Sequence, residues 1–318
     1  MKFGLSLEMV NLHWQEPNRN RRESRYYWDE LFSLIPAAGF EGIELPYEVK
    51  WDFGGRSGIP LSNRSVTIKY GGPAQFRDSL AKAGISQIIG VHFDPSLFVG
   101  DDMEHFFFPY RHFGEEAIRF AGEAGATTAT ITPTPCRGIL QHTMGKGENW
   151  DSWADTFIKK TAETLNALAE TAKQSGVRLT VKNEYWSVAR GMEIDKLMGL
   201  LDDSVGYDLD TANLAIAGVN VTGFIEQKKD RIGSVHFTDT AFVDDGEYYK
   251  AVNPEYPAGK ATQVFRDIGQ GSVDLRGAHA ALGTAGYNGW VVCNNRQTRD
   301  NMRAMLRTRR FIDTTLNA

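Results

Sequence analysis

The sequence predicts a single (β/α)8 TIM barrel, an α/β fold of eight parallel strands closed on themselves, and three observations carry that prediction. Short apolar runs alternate with longer segments of helical period eight times along the 318 residues. The strand candidates read as apolar on both faces, as strands covered by crossover helices do. No stretch rich in Pro, Gly or Ser divides the chain, so residues 1–318 are read as one domain with long loops over the carboxyl-terminal mouth.

Each element has its own signal. The strand candidates are 2–9, 42–45, 85–93, 126–132, 177–184, 204–210, 232–239 and 287–295. Trp28, Leu31, Phe32 and Ile35 mark one face of a helix over 26–39. Pro73 opens and Gly84 closes the next. A long helix spans Met103 to Gly125, and the clearest amphipathic segment is 151–174, with Phe157, Ile158, Thr161, Leu165, Leu168 and Ala169 on one face. Helices are also expected at 193–202, 212–218, 221–230, 273–286 and 298–317. A doubly wound open sheet is the competing fold. No G-x-G-x-x-G follows the first strand, so no nucleotide cofactor is expected.

Composition narrows the function. A content of 42% hydrophobic and 24% charged residues with net charge −5 is that of a soluble globular protein with no electrostatic reason to bind nucleic acid. The basic run at 19–22 reads as solvated loop. No apolar run is long enough for a membrane helix, and the strand-like start is that of a cytoplasmic protein rather than a signal peptide. Cys136 and Cys293 alone make neither a disulfide framework nor a zinc cluster. The connections at 46–72 and 240–270 carry Tyr47, Trp51, Phe53, Phe242, Tyr248, Tyr249 and Tyr256, and both follow strands, so both are expected over the mouth.

The last residues of the strands concentrate charge. They include Glu44, His92, Asp94, Lys182, Glu184, Asp208, Asp210, His236, Asp239 and Asn294. In a barrel these ends meet at one rim, and a charge near a dry core must be paired or ligated. Asp239 reads as a loop cap.

The segments GFEGIEL (39–45), GVRLTVKNE (176–184), VGYDLDTAN (205–213), GSVHFTD (233–239), IGQGSVD (268–274) and GYNGWVV (286–292) follow the order and spacing of a known family. The chain resembles the xylose isomerase-like TIM-barrel superfamily of sugar phosphate isomerases and epimerases, inosose dehydratases and related endonucleases. The resemblance implies one divalent metal on a Glu, an Asp, a His and a second Glu at the ends of strands five to eight. Asp210 and His236 match, whereas Lys182 and Asn294 stand where glutamates are expected. Two outcomes stay open. In one, Lys182 replaces the ion, and metal is weakly bound or absent. Otherwise Glu184, on the same side of its strand, joins Asp210 and His236, with Asn294 as a weak fourth donor to manganese, magnesium or zinc.

The family chemistry is removal of a proton beside a carbonyl. Lys182 would then stabilise the enediolate, Glu184 would be the general base, and His236 and Glu44 would be reserves for acid or base work. The bland alternative makes Lys182 and Glu184 a structural ion pair. His92, Trp186, Asn294 and Tyr47 are the substrate-binding candidates, with Trp51 and Phe93 as further aromatic faces for a sugar ring. A carbohydrate or glycoside is the expected ligand, and an oligomer is expected. One variant resembles the large subunit of C-glycoside deglycosidases, which eliminate from oxidised glycosides with a small partner subunit. The alternative outside enzymology is a catalytically silent barrel that binds a sugar or a partner.

Overall fold

A computed structural model describes residues 1–10, 24–52, 59, 61–145, 147–257 and 263–317. The basic run at 19–22 and Phe53 lie outside the described residues, as does the side chain of Trp51. Eight strands close into one barrel in chain order. They are Lys2–Ser6 (β1), Gly42–Pro46 (β2), Gln87–Phe93 (β3), Thr128–Ile131 (β4), Arg178–Lys182 (β5), Gly206–Asp210 (β6), Ile232–Phe237 (β7) and Trp290–Cys293 (β8). Every neighbouring pair is parallel, including β1 with β8.

Local chemistry sets the helix ends. Pro73 starts the helix Pro73–Ala83, and Gly84 closes it at a φ of 101°, where only glycine is unstrained. Asp102 caps Met103–Glu123 by accepting from the His105 amide. Asn149 caps Trp150–Ser175 in the same way. Those two helices pack closely because Gly114 faces Leu168; a Cβ there would lie 2.9 Å from Leu168 Cδ1.

Three expectations need correction. The connection at 46–72 contains a helix, Asn63–Tyr70, held by a capping box between Ser62 and Ser65. The eighth strand is Trp290–Cys293, shorter at both ends than 287–295. The strands are not apolar on both faces. Leu179 and Val181 of β5 join the apolar sleeve beneath the helices, whereas Thr180 and Lys182 face the barrel axis. Thr180 reaches Ser234 of β7 across the interior at 3.0 Å, and Glu44 of β2 reaches His236 of β7 at 2.8 Å. The hydrophobic core is therefore the sleeve between sheet and helices, and the axis is polar.

Near the amino-terminal ends of the strands Ile89 borders a cavity of about 560 Å³ that Glu44, Arg178, Ser234 and Trp290 also line. A Cβ on Gly4 would lie 2.2 Å from Ile89 Cδ1 and 2.7 Å from the Gly42 carbonyl oxygen, so glycine is what makes room for Ile89 there. Pairing slips between Ile43 and Glu44 on β2 and between Tyr207 and Asp208 on β6. Such irregularities re-aim side chains. Here they fall at the two carboxylates that grip His236.

Candidate active site

Strand ends and the first residues beyond them deliver the polar groups. Gly4, Ser6 and Glu8 alternate out of β1, with Glu8 on the short 3-10 turn Leu7–Val10. Val292, Asn294 and Arg296 alternate out of β8 in the same way. The connection after β7 folds back over the mouth because the Asp239 carboxylate gathers the amides of Thr240, Gly269, Gly271 and Val273 at 2.8–3.3 Å. The sequence IGQGSVD is the backbone that wraps this carboxylate, which confirms Asp239 as a loop cap. Phe242, Phe265 and Tyr185 pack the folded loop onto the mouth.

Between these elements lies a cavity of about 670 Å³. Its walls include Glu8, Tyr47, His92, Trp186, Glu255 and Arg296. The Glu8 carboxylate accepts from His92 Nδ1 at 2.6 Å and from Asn294 Nδ2 at 2.5 Å. His92 Nε2 meets Thr132 Oγ1 at 2.9 Å. Burial raises the Glu8 carboxyl, but Arg296, Lys182 and His92 outweigh it and hold the group well below its ordinary value. Burial disfavours charge on His92, yet Glu8 pushes its imidazole up. Glu8 and His92 thus favour each other's charged form on the cavity wall.

Arg296 spans the next layer. Its Nη1 donates to both Glu184 oxygens at 3.0 and 3.1 Å, and Nη2 donates to Glu255 at 2.6 Å. Trp186 Nε1 donates to the same Glu255 oxygen at 2.9 Å. Burial pushes the Glu184 carboxyl up to about 7, with Arg296 and Lys182 working against the rise.

The innermost layer has no exposed surface. Lys182 Nζ sits 3.7 Å from Asp210 Oδ2, both side chains fully buried. Burial opposes the ammonium, but Glu8, Asp208, Asp210 and Glu184 outweigh that effect and hold it well above the ordinary lysine range. Asp210 caps the helix Thr211–Ile216 through the Asn213 amide at 3.1 Å, and its other oxygen accepts from Thr238 Oγ1 at 2.8 Å. Asn183 bonds the Asp210 backbone. His236 donates from Nδ1 to Asp208 at 2.7 Å and from Nε2 to Glu44 at 2.8 Å. Burial opposes its charge; Asp208 and Glu44 reverse this and push it up to about 10.

The structure thus brings Lys182, Glu184, Asp210, His236, Glu44, His92 and Asn294 into one connected cluster. It divides them by depth. His92, Trp186 and Tyr47 border the cavity, whereas Lys182, Glu184, Asp210 and His236 lie behind Glu8 and Arg296. Tyr47 is held by Glu116 and the Asn63 amide, so its phenol is committed to packing. The bland pairing of Lys182 with Glu184 gives way to two other pairs, Lys182 with Asp210 and Glu184 with Arg296. Sequence reasoning missed Glu8, Glu255 and Arg296. Period-two alternation carried past the strand ends would have found Glu8 and Arg296. Glu255 lies far along a loop, without such a signal.

A divalent ion does not fit the residues expected to hold it. Both His236 nitrogens and both Glu184 oxygens already have partners, and Asp210 faces an ammonium. Among the described residues no three His, Cys, Asp or Glu side chains form a cation site. No helix of the described residues is long and apolar enough to cross a membrane.

Known proteins share this arrangement of elements. An inosose dehydratase of Bacillus licheniformis is 30% identical over 166 residues, 51% of this chain and 55% of that protein. The chain thus spans about half the length of that relative. An L-ribulose 3-epimerase superposes with a TM-score of 0.67 at 15% identity, over 100% of this chain and 95% of that one. The IOLI protein, solved with a zinc atom, superposes with a TM-score of 0.62 at 13% identity, over 98% of this chain and 97% of that one. The model of the xylose isomerase-like TIM barrel matches residues 32–314, nearly the whole chain, and the protein belongs to that family.

Proposed function

We propose that the chain is a sugar-directed enzyme that removes a proton from a carbon beside a carbonyl. The proton then returns at another position, as in an isomerase, or to the opposite face of the same carbon, as in an epimerase; in the third course a neighbouring hydroxyl takes a proton from His92 and leaves as water. The observation that carries this reading is the Glu8–His92 pair at 2.6 Å on the wall of the mouth cavity, with Arg296 and Trp186 beside it. An imidazole held by a carboxylate can act as a general acid once a ligand oxygen takes the place of Thr132 at Nε2. Trp186 offers an indole to the apolar face of a sugar ring.

Glu184 is the base in this reading. Its carboxyl, near 7, can take a proton at working pH once the ligand draws Arg296 aside. Lys182 lends positive field to the oxygen that becomes enediolate, while His236 and Glu44 keep that field in place. The matched half of an inosose dehydratase and the fold shared with an epimerase support a ketose or keto-cyclitol substrate.

Proton NMR in heavy water, with inososes and ketoses offered in turn, tests the proposal. Exchange at the carbon beside the carbonyl is expected, and His92→Gln should slow it by about 10²–10⁴-fold while the protein stays folded. Unchanged exchange by His92→Gln would remove the assigned acid. Binding without exchange would favour the silent barrel, a reading to which the Arg296 clamp over Glu184 lends support. Exchange that begins only when a second polypeptide is added would favour the deglycosidase-like variant.

A further inference from the structure

We infer that the centre of this barrel carries its own cation and binds no divalent metal: the Lys182 ammonium does the charge balancing that an ion would do among Glu8, Asp208 and Asp210. The contacts of Lys182, Asp210 and His236 do not depend on the substrate, so failure of the proposed reaction would leave this assignment standing.

A divalent ion on carboxylate and imidazole needs its oxygen donors at about 2.0–2.6 Å and a ring nitrogen lone pair. Asp210 Oδ2, which such an ion would use, already faces Lys182 Nζ at 3.7 Å and accepts from Thr238 Oγ1 at 2.8 Å. An ion at bonding distance from that oxygen would lie beside the ammonium, with both cations in a fully buried space. His236 has no lone pair to offer while Asp208 and Glu44 each accept from it at 2.7 and 2.8 Å. Freeing either nitrogen would strand a buried carboxylate. Glu184, the substitute ligand that alternation along β5 supplies, is held through both oxygens by Arg296. The amide oxygen of Asn294 and the second carboxylate oxygen of Asp208, both buried and without a hydrogen-bond partner, are the donors left, and two oxygens fall short of the four donors such an ion takes.

The ammonium also has the features of a built group rather than an accident of packing. Lys182 is among the largest fully buried side chains of the protein. Its Nζ has no hydrogen-bond partner, although Asp208 Oδ2 and Asn294 Oδ1 are likewise buried and unpartnered. It is kept by the field of the carboxylates around it, as an ion would be, and not by a hydrogen-bonded cage. Two cations thus alternate with the acids down the axis: Lys182 against Asp210 and Glu8, and His236 between Asp208 and Glu44.

The experiment is metal binding, read without any turnover. Wild-type protein, purified without added metal, is assayed by elemental analysis and then titrated with manganese chloride, zinc chloride and magnesium chloride by calorimetry. Substoichiometric metal, no binding heat and a thermal midpoint indifferent to chelator are expected. Near-stoichiometric metal, or saturable binding that a chelator reverses, overturns the inference whatever the variants do. Lys182→Glu supplies a carboxylate in place of the ammonium and should raise manganese affinity by at least about 100-fold, or make folding depend on manganese. Lys182→Met, which removes the cation without adding a ligand, should bind manganese less tightly than Lys182→Glu. A folded Lys182→Glu that gains no affinity over wild type would overturn the claim that Lys182 holds the ion's place.

Discussion

His236 has a carboxylate on each nitrogen, and neither ring position faces the cavity. Removing the ring leaves Glu44 and Asp208 buried without their cation, so His236→Ala should destabilise the fold by about 3–5 kcal/mol in denaturant titrations. The ring should carry both protons well above neutrality, which nitrogen chemical shifts at mildly alkaline pH would reveal. The folded value near 10 lies above the ordinary 6.5. Its contribution to stability is therefore fully present below about 6.5 and is lost as pH rises through about 10. An alkaline limb that persists unchanged in His236→Gln would show that another group titrates there. This residue also marks what a sequence can disclose. Its place at the end of a strand was legible; that both nitrogens were committed was not, because the partners come from β2 and β6, 192 and 28 residues away.

At the scale of elements, the return loop after β7 is the part that closes the site. It rests on Asp239 within and on Gly138 beneath. A Cβ on Gly138 would lie 2.3–2.5 Å from backbone atoms of Ala251 and Val252, which cannot rotate aside. Gly138→Ala should therefore lift the stretch that bears Glu255 while costing about 1–3 kcal/mol of stability. Ligand affinity should fall more steeply than stability, because displacement of a positioning element by about 1 Å can weaken a reaction 100-fold. Equal losses in ligand binding and in unfolding free energy would instead make Gly138 a packing residue only. The strand and helix order was readable because periodicity is local, and so was the loop's position, since its aromatic residues follow a strand. The helix Asn63–Tyr70 was not, because its signal is a serine pair rather than an apolar face.

The whole molecule reverses the usual account of an inside and an outside. Apolar residues fill a sleeve around the sheet, and ionised residues gather along the axis towards the carboxyl ends of the strands. Stability should accordingly fall at both ends of the pH scale. Glu8 and Asp208 sit below their ordinary values of 4.5 and 3.8, so their contributions are present above those values and are lost as pH falls through the depressed ones. Glu184 has the opposite sign. Raised from 4.5 to about 7, it favours the folded state below 4.5 and loses that advantage as pH rises through 7. Unfolding free energies of wild type and Glu184→Gln across pH 4.5–7 should diverge in that sense. Parallel curves would place the Glu184 carboxyl at its ordinary value. The barrel itself could be read from alternating elements, and the concentration of charge from strand ends. The pairing within the axis could not, since contacts between distant strands leave no periodic trace.

That the axial charges are matched partner to partner constrains how such a protein can change. Replacing one member at a time strands its neighbour, whereas exchanging an acid and its base together leaves the interior neutral. Routes between this barrel and differently equipped ones therefore run through coordinated double substitutions, and isolated steps are the improbable ones.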